Sequence, residues 1–268
     1  MKLVKRVLVS VCCSLLLCAS VLAQGFSSSS AASTEVAHFQ PEQIIKFSKK
    51  VERALGASGA RVAIIARMGR PASELPEGMH FTHVAFAVYS QITATNGEKL
   101  YGYVIQNLYQ QDGHPDLSDL VQDYPVDFFA GVAQLEAGLI IPSPELQARL
   151  LKVIASPAYQ KLHQRDYSVI ANPYTLGKQN CTEFVLDVVN AAIYQTDDIN
   201  VIKANERAYF VAQPVNVSPI KLMLGSMFSA EVSTSDHSGQ AMTATFERIG
   251  DYLQKYDQGS VVKTIYPD

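Results

Sequence analysis

Apolar residues recur at helical spacing after Pro41. Ile44, Ile45, Phe47 and Val51 fall on one face, and the turn Gly56-Ala57-Ser58-Gly59 closes the pattern, so a helix is predicted over 41–55. Val62-Ala63-Ile64-Ile65-Ala66 is a short continuous apolar run that suits a buried strand. Residues 68–78 carry Gly69, Pro71, Pro76 and Gly78 and read as a loop. The clearest strand is Phe81-Thr82-His83-Val84-Ala85-Phe86-Ala87-Val88-Tyr89. A two-residue hairpin turn at Asn96-Gly97 returns it into a strand over 99–109.

The polar stretch 110–118 reads as turns, and 120–133 as partly helical with a break at Pro125. A short strand follows at 138–141. Ser143-Pro144-Glu145 opens a helix to about 155, with serine at the N-cap and proline at the first position. After a loop at 172–179, a helix runs from Cys181 to about Tyr194 with Phe184, Val185, Val188, Val189 and Ala192 inward. Further helices are expected over 198–210, 218–228 and 243–256, with a loop at 233–239. The mixture is α+β, helices flanking an antiparallel sheet.

The first 23 residues change the picture of the rest. Lys2, Lys5 and Arg6 precede an apolar run from Val7 to Leu17, and Val21-Leu22-Ala23 offers a cleavage point before Gln24. This is the pattern of an export signal, and the run is short for a membrane span. The expected organisation is a signal peptide over 1–23, a Ser/Ala-rich tether over 24–38 and a single domain over 39–268. The product is exported, and periplasmic if the source is Gram-negative. The formal net charge of the 268-residue chain is −3. Loss of three cations with the signal leaves about −6. With no basic stripe to neutralise phosphates, nucleic-acid binding is not expected.

Of four cysteines, Cys12, Cys13 and Cys18 lie in the signal, so Cys181 stands alone in a disulfide-permitting compartment. It falls where a loop turns into a helix, in Gly177-Lys178-Gln179-Asn180-Cys181-Thr182-Glu183-Phe184-Val185. Asn180 and Glu183 have the spacing of a capping box. That places the sulfur near unpaired N–H groups and the positive end of the helix dipole, and predicts a thiolate-favouring environment. The competing reading is a small buried hydrophobe.

A nucleophilic cysteine needs a base and a group to orient it. Among six histidines, His83 stands out at the start of a strongly apolar strand. His38 and His237 fall in segments read as flexible, His114 in a turn-rich loop and His163 after a helix end. Asn107 is the leading orienting residue on the return strand, with Gln106 and Gln110 as rivals, because a one-residue slip exchanges faces. Tyr174 and Asn180 are weaker candidates for oxyanion or substrate contacts. No Cys/His cluster has zinc spacing, and neither metal nor cofactor is expected.

The strand Thr82-His83-Val84-Ala85-Phe86, followed later by Asn180-Cys181-Thr182-Glu183-Phe184-Val185, resembles the circularly permuted branch of the NlpC/P60 papain-like superfamily, which includes lecithin:retinol acyltransferase-like proteins. The histidine-then-cysteine order matches the permuted form, and Ala85 stands where relatives often have glycine. Fragments such as Asn172-Pro173-Tyr174-Thr175-Leu176-Gly177 and Val121-Gln122-Asp123-Tyr124-Pro125 are similar to a family of secreted bacterial proteins of unknown function. The resemblance implies a papain-like antiparallel sheet packed on the cysteine helix. It also implies Cys181 as nucleophile, His83 as base and Asn107 as orienting residue. The activity implied is hydrolysis or acyl transfer on an amide or ester, with a cell-wall peptide or acyl substrate. A non-enzymatic periplasmic binding or assembly protein on the same fold is the alternative.

Overall fold

The computed structural model describes residues 38–216 and 232–268. The signal segment and the helix expected over 218–228 lie outside the described residues, as does all but the last residue of the tether.

Six strands form one antiparallel sheet in the order β4-β3-β2-β1-β5-β8. They are β1 (Val62–Met68), β2 (His83–Thr93), β3 (Lys99–Gln111), β4 (His114–Asp123), β5 (Gln134–Ile141) and, past a two-residue ribbon of β6 (Gln213–Pro214) with β7 (Met242–Thr243), β8 (Val261–Ile265). Central β1 is buried along its whole length. Its alternate residues enter two cores: Val62, Ile64, Ala66 and Met68 face one side, Ala63 and Ile65 the other. That is why its sequence is continuously apolar rather than alternating.

Helix α1 (Pro41–Ala57) covers one face through Ile44, Phe47, Val51 and Leu55, joined by Phe128 of the short α2 (Pro125–Phe128). The other face carries α3 (Pro144–Ile154) and α5 (Cys181–Tyr194), with α4 (Pro157–Lys161), α6 (Ile199–Tyr209) and α7 (Phe246–Tyr256) around them. Helix α5 is the most deeply set: every residue from Cys181 to Ala192 is buried. Ser143 caps α3, its Oγ accepting from Leu146 N at 3.2 Å. No helix among the described residues is long and apolar enough to cross a membrane.

Two expectations need correction. The stretch read as turns and partial helix contains β4, entered through a turn at Asp112-Gly113 with Gly113 at φ 76°. As an edge strand β4 is half solvated, so it lacks a strong apolar alternation and tolerates Pro115. Pro125 begins a helix rather than breaking one. The terminal strand β8, five residues long, was not foreseen; it closes the opposite edge beside β5.

Candidate functional site

Helix α5 starts where its cap dictates. Asn180 is extended (φ −117°, ψ 176°), and its Oδ1 accepts from Glu183 N at 2.8 Å. The reciprocal half of the expected capping box is absent, because the Glu183 carboxylate instead meets Lys203 Nζ at 2.8 Å. Asn180 Nδ2 donates to Val169 O (3.0 Å) and Thr243 Oγ1 (3.2 Å). Asn180 is therefore wholly engaged as a cap and a loop tie.

Cys181 occupies the first helical position and is 4% exposed. Its sulfur lies 3.7 Å from Thr182 Oγ1 and faces the Val84 backbone of β2. The paired register of β2 with β3 reaches only to Phe86↔Gln106, so the first residues of β2 lie beyond it, and there the helix start meets the sheet. A cavity of about 10 Å³, room for roughly one water, adjoins the thiol between Phe81, Thr82, Asn180 and the Ala244–Thr245 backbone segment. The expected thiolate-favouring environment is corrected here. Burial pushes the thiol above its ordinary value, opposed by the Val84 backbone, Thr182 and Arg67.

The β2–β3 loop is one residue longer than the two-residue turn expected. Thr93 pairs with Lys99, Ala94 N donates to Glu98 O, and Gly97 supplies the left-handed position at φ 83°. Continued along β2, this register sets His83 against Tyr109, with Asn107 one diagonal step away on the same face. His83 is fully buried, its Nε2 lies 3.0 Å from Asn107 Oδ1, and its ring stacks on Tyr109 at 4.9 Å and 14°. His83 Nδ1 is buried without a hydrogen-bond partner, so no hydrogen bond joins it to Cys181. Burial, with Arg67 nearby, holds the imidazole well below its ordinary value and keeps it neutral; the Asn107 bond opposes this. The rivals turn elsewhere: Gln106 donates to Gln122 (2.9 Å) and Gln110 to Pro115 O (2.9 Å).

Tyr174 does not join this group. Its hydroxyl donates to Phe210 O (3.0 Å) and accepts from Ala212 N (2.8 Å), so it secures the chain after α6. His237, expected in a flexible loop, has a side chain 2% exposed with Nε2 donating to Ile170 O. His163 contacts Ser118 Oγ, and His80 meets Glu136 at 2.7 Å. Among the described residues no group of three or more His, Cys, Asp or Glu side chains could hold a metal.

Two residues around His83 were not foreseen. Asp123 accepts from Asn107 Nδ2 and from the Tyr109 hydroxyl, each at 2.8 Å. The Arg67 guanidinium lies over the rings of Tyr109 (5.6 Å) and Phe128 (5.1 Å) and donates to Phe128 O. The one available signal was the charge of Arg67 ending an apolar strand. Asp123 was hidden because it falls where the stretch was read as partly helical rather than as the end of β4.

Comparison with curated proteins and with solved structures finds no match. A family model does match, over residues 54–253, which take in His83, Asn107, Asp123 and Cys181. The chain thus belongs to the DUF2145 family, described as an uncharacterized protein conserved in bacteria.

Proposed function

We propose that this protein is an exported thiol acyl-transfer enzyme, with Cys181 as nucleophile, His83 as base and Asn107 as the residue that orients the base. The observation that carries the reading is the two-ended state of His83. Nε2 is engaged by Asn107 Oδ1, while Nδ1 is buried and unpartnered, one residue from the Val84 backbone that touches the Cys181 sulfur. A neutral imidazole with an unpartnered ring nitrogen, carried by the residue next to the one whose backbone the thiol approaches, has the free lone pair a general base needs. The chain order, histidine strand before cysteine helix, and the packing of that helix on an antiparallel sheet support a permuted papain-like arrangement.

In the proposed reaction His83 Nδ1 takes the thiol proton as the sulfur attacks an amide or ester carbonyl. The oxyanion that forms faces the unpaired N–H groups at the start of α5. His83 returns the proton to the leaving nitrogen or oxygen as the carbonyl–heteroatom bond breaks, leaving a thioester on Cys181. Water or another nucleophile, deprotonated by His83, attacks the thioester, and the thiol is regenerated with release of the acid or the transferred acyl product. A cell-wall peptide is the first substrate class for an exported protein of this kind, and lipid esters or amides the second. Because the cavity beside the thiol is only about 10 Å³, its lining must open for any of them.

The test is the rate of Cys181 alkylation by iodoacetamide as a function of pH, in wild type and His83→Gln. The expected result is a slow thiol whose rate falls about a hundredfold further without His83, the low end of what a general base contributes. Equal rates at every pH would remove the enzyme reading and turn attention to a binding or assembly role.

A further inference from the structure

We propose that Asp123 is a positioning residue that fixes the tautomer of His83 through the amide of Asn107, an inference that rests on the catalytic reading above. An asparagine amide has two orientations that exchange its donor and acceptor ends, and its neighbours decide between them. Asn107 Nδ2 lies 2.8 Å from Asp123 Oδ1 and 3.4 Å from Ile105 O. A carboxylate and a carbonyl can only accept, so the NH2 end must face them. That leaves Oδ1 toward His83 Nε2, 3.0 Å away. An amide oxygen also only accepts, so Nε2 must carry the imidazole proton. The lone pair is then confined to Nδ1, the nitrogen without a partner.

The same carboxylate grips the imidazole a second way. Its other oxygen takes the hydroxyl of Tyr109 at 2.8 Å, and the Tyr109 ring is the one stacked on His83. One half-buried side chain on β4 thus holds both the edge partner and the face partner of the base. The register of the edge strand delivers it, Asp123 pairing with Ile105 two residues before Asn107. The charged groups facing Asp123 are Arg67, which favours its ionised form, and Asp127, which opposes it. Burial pushes Asp123 up to about 6, so the acceptor-only state holds at neutral pH and is lost in mild acid.

The test is nitrogen NMR of histidine-labelled protein at pH 8, with His83 assigned by its loss in His83→Gln, alongside Cys181 alkylation. Wild type must show Nε2 protonated and Nδ1 bare. In Asp123→Asn the new amide offers a donor, Asn107 is free to reverse, the Nδ1–H form appears, and alkylation falls about a hundredfold, to the His83→Gln level. Asp123→Glu, which keeps an acceptor-only group, restores much of both. An Nδ1–H tautomer in wild type, or an unchanged tautomer in folded Asp123→Asn, overturns the proposal. A tautomer that switches while alkylation ignores His83 leaves this inference standing and removes the acyl-transfer reading. Alkylation that depends on His83 while Asp123→Asn changes nothing does the reverse. Should Asp123→Asn fail to fold, Tyr109→Phe decides. It frees one oxygen of Asp123 but spares the bond to Asn107, so it must keep the Nε2–H form.

Discussion

Lys203 Nζ lies 2.6 Å from Asp187 Oδ1, and neither side chain reaches solvent. The same ammonium meets Glu183 at 2.8 Å and Glu206 at 3.1 Å, so one cation from α6 stands among three buried acids, two of them on α5. Gln179 and Asn190 donate into the cluster, and Tyr252 of α7 donates to Asn190. Removing one partner of a buried ion pair leaves uncompensated charge, which costs about 3–5 kcal/mol. Lys203→Met is therefore expected to lower unfolding free energy by that amount at pH 8. Urea denaturation checks it, and a loss under about 1 kcal/mol, the range of an exposed pair, would show that the cluster is solvated.

The pH dependence of stability follows from the same acids. Burial pushes Glu183 up to about 8, against the lowering effect of Lys203. A carboxyl whose folded value is raised binds protons more strongly in the folded state. Its contribution is therefore full below the ordinary value of 4.5 and is lost as pH rises toward 8. Glu206 shifts the same way for the same reason, whereas His83, held low by burial, works in the opposite sense below its ordinary 6.5. Lys203 is shifted upward, so its own titration falls above this window. Comparing wild type with Glu183→Gln isolates the acid. The wild-type advantage is expected to shrink steadily between about pH 4.5 and 8 in parallel urea titrations, and a difference independent of pH would contradict the assignment.

Much of the frame was legible because local patterns and tertiary demands agree. Asn180 as a cap, Ser143-Pro144 as a helix start and the apolar run of β1 each show one signal that burial reinforces. His83 and Asn107 were singled out from strand context, and the structure brings their side chains together at 3.0 Å. The expected two-residue turn was one residue too short, because a glycine in the left-handed region extends the hairpin loop and nothing local distinguishes the two loop lengths. The thiol environment was misjudged for a different reason. The helix start favours a thiolate, but depth in the core is a tertiary property and outweighs it. The cluster around Lys203 was invisible, since its members look like ordinary helix-surface charges until α6 is laid against α5.

Gly138 on β5 marks a close approach. A Cβ there would come within 2.6 Å of the Phe246 ring and 2.7 Å of the Phe81 ring, and those rings already meet edge to face at 4.8 Å. Phe81 also lines the small cavity beside Cys181. Gly138→Ala is expected to cost about 1–3 kcal/mol through overpacking. Combining it with Phe246→Leu should recover part of that loss. If the alanine alone is neutral in urea unfolding, the strand shifts freely and the contact does not constrain the site.

Asn180 makes a prediction that separates capping from loop anchoring. Its oxygen serves the helix and its nitrogen serves Val169 and Thr243, so alanine removes both functions at once. Losing a cap costs about 1 kcal/mol, and leaving a buried acceptor unpaired adds about 1–3 kcal/mol. Asn180→Ser keeps an oxygen able to cap but is too short to reach both loop partners. Asn180→Ala should therefore be the less stable of the two in urea unfolding, and its Cys181 should alkylate fastest, because a frayed first turn exposes the thiol. Serine should fall between alanine and wild type in both measurements. If serine matches alanine in stability, the loop tie rather than the cap sets the position of the helix start. In that case only a residue that spans from α5 to both Val169 and Thr243 can hold Cys181 against the end of β2.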